Sequence, residues 1–82
     1  MENKDIGEMI EVLSIAIVRG EAECEFFRRS AKASTSSVAK ALFSEIAEEL
    51  GKYRKSLAER RQKLLDALGD LKKAEDKPVK QR

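Results

Sequence analysis

The apolar residues of this chain advance in alternating steps of four and three along two separate stretches. That periodicity admits little besides paired helices. The first seam reads Ile6, Ile10, Leu13, Ile17, Gly20, Cys24, Phe27 and Ala31, a heptad-like stripe on one face of a helix over residues 4–33. A second apolar edge of Met9, Val12 and Ala16 widens that face in its N-terminal half. Taken alone, the β-branched cluster at residues 15–18 suits a strand. Charged residues nevertheless continue at helical spacing beyond it, with Glu25 four before Arg29, and that favours the helix.

Ala33-Ser34-Thr35-Ser36-Ser37 is a polar, charge-free break, and its hydroxyls suit the N-cap of a second helix. The seam that follows reads Ala39, Phe43, Ile46, Leu50, Tyr53 and Leu57, then Leu64, Leu68 and Leu71. Arg60 falls on the same line, with its stem packed and its guanidinium in water. Gly51 falls on the solvent side, where it costs roughly 1 kcal/mol relative to Ala. Gly69 is a plausible helix end, with fraying as far as Ala74. The reading is all-α: one domain over residues 1–74, an antiparallel hairpin of helices at about 4–33 and 37–74, and a disordered basic tail at 75–82. Two helices cannot enclose a core, because each hides only the stripe that faces the other. The broad apolar surface around residues 9–18 therefore calls for a further partner, and dimerisation into a four-helix bundle is the simplest closure.

Composition removes several classes of function. The 82 residues carry 17 Lys and Arg against 15 Asp and Glu, with 39% charged and 41% hydrophobic, too charged for a membrane protein and too apolar to stay unfolded. No apolar run approaches the ~20 residues that span a bilayer. The richest stretch, residues 9–18, contains Glu11 and Ser14 and follows no basic segment, so it does not read as a secretion signal. A cytoplasmic protein is expected. With one cysteine, Cys24, and no histidine, the chain offers neither an internal disulfide nor a Cys/His zinc site. It also lacks the usual general base near neutral pH.

Two segments resemble a known family. Ala16-Ile17 through Phe26-Phe27 and Ala31 is similar to the first helix of rubrerythrin-type ferritin-like domains, which typically reads Ala-Ile, a ligand Glu, Phe-Tyr and Ala. Residues 39–50, with Leu42-Phe43 and Ala47-Glu48-Glu49, are similar to the family's second helix, where Leu-Phe and Ala-Glu-Glu precede a Glu-x-x-His ligand pair. The likeness spans roughly residues 10–57 and implies a ferritin-like four-helix bundle. In that alignment the first ligand Glu falls on Gly20, the second on Leu50 and the ligand His on Tyr53. The resemblance thus implies a metal site that has been lost. Iron and manganese take carboxylate and imidazole ligands here, and a phenol with a pKa of about 10 is a poor substitute. Tyr53 is expected to fill the vacated volume beside Gly20, so that its truncation opens a cavity in a dry, metal-free core.

Other candidates each have a plainer reading. Glu21 and Glu49 flank their seams at about 70 degrees and are the residues from which a shifted Fe or Mn site would be built; Glu45 and Glu48 lie further out. Cys24 reads as a small buried residue, since Glu23 and Glu25 oppose ionisation of its thiol. The basic stretch Lys52-Tyr53-Arg54-Lys55, with Arg60, Arg61 and Lys63, is the basis for a weak nucleic-acid binder, for which Arg54 and Arg61 are the test residues. Its cations, however, divide to both sides of the seam. The expected function is therefore structural or a protein interaction: no catalytic residues, no cofactor and no membrane, with a second copy or an unidentified protein as partner.

Overall fold

The computed structural model describes residues 3–76, which form two α-helices, α1 (Asn3–Ala33) and α2 (Ser37–Asp76). They run antiparallel as a hairpin: Ser14 meets Arg61, Cys24 meets Ala47, and Ala31 meets Lys40. α2 continues unbroken through Gly69, so that glycine is not a helix end. Gly69 has nothing within 4 Å of where a Cβ would stand, and a solvent-facing glycine weakens a helix without stopping it. The helix also takes in Glu75 and Asp76, the first two residues assigned from sequence to the tail. Residues 77–82 lie outside the described residues.

Ser34, Thr35 and Ser36 make the turn. The Ala39 N–H donates to the Ser36 hydroxyl at 3.2 Å, so Ser36 is the N-cap of α2 and satisfies a donor that the first turn leaves free. At the end of α1 no residue adopts a positive φ. Lys40 instead reaches back from α2, its ammonium donating to the carbonyls of Ala31 at 3.1 Å and Lys32 at 3.3 Å. A cation at a helix C-terminus is favourable for both the unpaired carbonyls and the helix dipole.

The core between the helices is narrow. Ile6, Ile17, Cys24 and Ala31 of α1 are buried with Ala47 and Leu57 of α2. On α1 every seam residue expected from sequence is buried or half-buried. On α2 the seam is out of step by one residue in three places. Ala47, Arg54 and Arg61 face α1 more closely than Ile46, Tyr53 and Arg60; Ile46 remains half-buried, but Tyr53 is 63% exposed. The cause is Gly20. A Cβ there would stand 3.6 Å from the Arg54 Cβ and 3.7 Å from its Cγ, so the glycine leaves a shallow seat for the aliphatic stem of arginine. The vacancy beside Gly20 is thus taken by Arg54 and not by the Tyr53 ring. Gly51 is likewise not on the solvent side. It is half-buried, and a Cβ at that position would lie 3.8 Å from the Cys24 sulfur.

Candidate functional site

The two sides of the hairpin differ in chemistry. One side is polar. Arg54 leans from the seam toward Glu21 at 3.5 Å, and Arg28 pairs with Glu25 at 3.0 Å. These four residues and Cys24 line a shallow groove. Further along, the Arg61 guanidinium donates to the Ser14 hydroxyl at 3.2 Å, which in turn donates to the Ile10 carbonyl at 2.8 Å. The Arg61 Nε is buried with no hydrogen-bond partner.

The other side is apolar and open. Val12, Ile15 and Ala16 of α1 face Leu50, Tyr53 and Leu57 of α2 across one groove. Met9, Val12, Leu13 and Leu64 continue it toward the chain ends, with Glu8, Arg60 and Lys63 along its rim. The second apolar edge of α1, Met9, Val12 and Ala16, therefore looks into this groove. At 100 degrees per residue, Phe26 stands within about 20 degrees of Ile15 and Leu42 within about 20 degrees of Tyr53, which extends the face toward the turn. Val12 is 65% exposed, Ile15 49%, Phe26 57%, Leu42 50% and Tyr53 63%. Large apolar residues exposed singly are ordinary; here several share one side, with Arg19, Glu23 and Glu49 interspersed among them.

Gly20, Leu50 and Tyr53, the positions that the resemblance assigns to lost metal ligands, all line this groove. They do not fit an iron or manganese pair, since Gly20 and Leu50 carry no side-chain donor and Tyr53 offers one exposed phenol. Glu21 and Glu49 are not brought together either. Glu21 faces Arg54 on the polar side, whereas Glu49, one turn before Tyr53, is exposed toward the apolar side. Among the described residues no three His, Cys, Asp or Glu side chains converge. Arg54 and Arg61, the candidate phosphate contacts, are half-buried and engaged by Glu21 and Ser14. Cys24 is a buried free thiol whose S–H donates to the Ala47 carbonyl at 3.1 Å. No helix among the described residues is long and apolar enough to cross a membrane.

Sequence reasoning missed the engagement of both arginines. For Arg54 the signal was present, because Gly20 stands on the α1 seam where a large side chain is otherwise expected. In comparisons with protein-family models, curated proteins and solved structures, nothing matches the chain.

Proposed function

We propose that this chain is a non-catalytic assembly module, in which the hairpin associates with itself through its open apolar side to complete a four-helix bundle. Its role is structural, and the outer surfaces of the bundle are left for contact with other proteins. The observation that carries this reading is the group of Val12, Ile15, Phe26, Leu42 and Tyr53 along one side, 49–65% exposed in the single hairpin. A helix pair with a thin internal core gains most of its remaining burial by covering such a face, at roughly 25 cal/mol per Å².

A rubrerythrin-like ancestry without the metal centre is part of the same proposal. It is supported by the likeness of residues 10–57 and by the convergence of Gly20, Leu50 and Tyr53 on the face that a second hairpin would cover. Apolar and aromatic groups there suit helix packing where carboxylates would suit iron.

The test is the mass of the full chain in solution by light scattering. A multiple of 9.2 kDa is expected, falling to a single chain when Val12→Glu places a charge on the face. A single-chain mass for the unaltered protein overturns the proposal.

A further inference from the structure

Resting on the self-assembly reading, we propose that two hairpins pack open side to open side in antiparallel fashion, with their turns at opposite ends. The two-fold axis crosses each hairpin at the level of Glu21 and Arg54.

The argument comes from the charges that rim the open side. On α1 these are Glu8, Arg19 and Glu23, all exposed along the groove. On α2, Arg60 and Lys63 rim the groove. Glu49 lies three turns before Arg60 to within about 20 degrees, and Glu45 lies five full turns before Lys63. All four therefore stand on the same side of α2, and all are exposed. The rim is thus net cationic on one flank of the helix centres, where Arg19, Arg60 and Lys63 outnumber Glu8, and net anionic on the other, where Glu23, Glu45 and Glu49 outnumber Lys52.

A two-fold axis in the interface, perpendicular to the helices, lays each helix over its own copy and exchanges positions equally spaced about the centre. Midway between Arg19 and Glu23 is Glu21. Midway between Lys63 and Glu45 is Arg54, and midway between Arg60 and Glu49 is the bond from Arg54 to Lys55. The side chains of Glu21 and Arg54 meet at 3.5 Å within the hairpin, so the midpoints on the two helices lie at one height. One axis therefore sets Arg19 over Glu23, Arg60 over Glu49 and Lys63 over Glu45 of the second copy. Each of these pairings occurs twice. The same axis brings Phe26 of one copy to within about one residue's rise of Ile15 of the other, joining two of the exposed apolar side chains.

Stacking turn over turn pairs only Glu23 with Lys52 and leaves the other rim charges without opposite partners. That arrangement lays α1 of one copy over α2 of the other at equal heights. Arg60, Lys63 and Glu49 then fall over Ile15, Val12 and Phe26, charge against apolar surface. Complementary charges across an interface select register and orientation more than they add affinity, which is the use they have here.

The experiment is a distance measurement on the full chain carrying Thr35→Cys in a Cys24→Ala background, spin-labelled in the turn and read by pulsed electron resonance. Turns at opposite ends lie roughly 40 Å apart along the bundle, at 1.5 Å per residue. Turns at the same end lie within about 20 Å, two helix diameters. A dimer with the long distance supports the proposal. A dimer with the short distance overturns the orientation and leaves the self-assembly reading standing. A single-chain mass overturns both. In the background with Cys24 intact, Arg60→Glu and Glu49→Arg are each expected to weaken dimerisation about tenfold, and the double variant to recover to within about threefold. Failure of the double variant to recover overturns the pairing.

Discussion

The stem of Arg54 lies across Gly20, with its Cβ, Cγ and Cδ at 3.6, 3.7 and 3.9 Å from where a glycine Cβ would stand. These are ordinary van der Waals separations, so alanine fits at this position without displacing the arginine. Gly20→Ala is expected to stabilise the chain by about 0.5–1 kcal/mol through helix propensity. Gly20→Leu is expected to destabilise it, because the longer side chain claims the place of the stem. Urea unfolding at fixed chain concentration measures both. A loss of stability in the alanine variant would show that the helices approach more closely at Gly20 than the 3.6 Å contact allows.

Ser14 and Arg61 form the other polar contact across the helices. With the Arg61 Nε already buried and unpartnered, Ser14→Ala removes a neighbour of a partly desolvated charge. The expected cost is about 1–3 kcal/mol. Arg61→Met replaces the cation with an apolar side chain of similar length and is expected to be neutral or stabilising. Denaturation midpoints of the two variants should therefore move apart from each other.

Among the described residues Cys24 is one of the most deeply buried side chains, and its thiol is held on the Ala47 carbonyl. Its reaction with an aromatic disulfide reagent is expected to be slow in the folded protein and to become fast only when urea unfolds the chain. Rapid stoichiometric reaction of the folded protein would place the thiol at the surface and contradict this packing.

The hairpin and all of the α1 seam were legible in the sequence because each inward position of α1 is apolar or small. On α2 the pattern misled at Ile46, Tyr53 and Arg60. Tyr53 and Arg54 are adjacent, both lie near the inward line, and hydrophobicity alone chooses the tyrosine. What decides for arginine is on the other helix, where Gly20 accepts a long aliphatic stem and Glu21 accepts its charge. The turn was legible as a cluster of hydroxyls. The return of Lys40 to the last carbonyls of α1 was not, since it depends on how the helices sit in space. The open face was half legible: Met9, Val12 and Ala16 marked its α1 edge, but placing Tyr53 inside the seam hid the opposite edge.

Metal content gives a further test of the site. Gly20 and Leu50 bring no donor atoms to the groove, and Glu21 and Glu49 look toward different sides of the hairpin. Protein produced without a His tag in iron- and manganese-supplemented medium is expected to carry close to no iron or manganese per chain by elemental mass spectrometry. One or more metals per chain, lost on Glu21→Ala or Glu49→Ala, would contradict the proposed loss of the centre.

The most direct measurement of the central claim uses Tyr53, the only tyrosine in a chain without tryptophan. Its fluorescence reports on the open side alone, and in the single hairpin the residue is 63% exposed. If two hairpins close over that side, acrylamide should quench the full-length protein several-fold less efficiently than free tyrosine amide. Val12→Glu should restore the free value. Quenching of the unaltered protein as efficient as that of the free amino acid would mean that the face stays open, and the assembly account would fail.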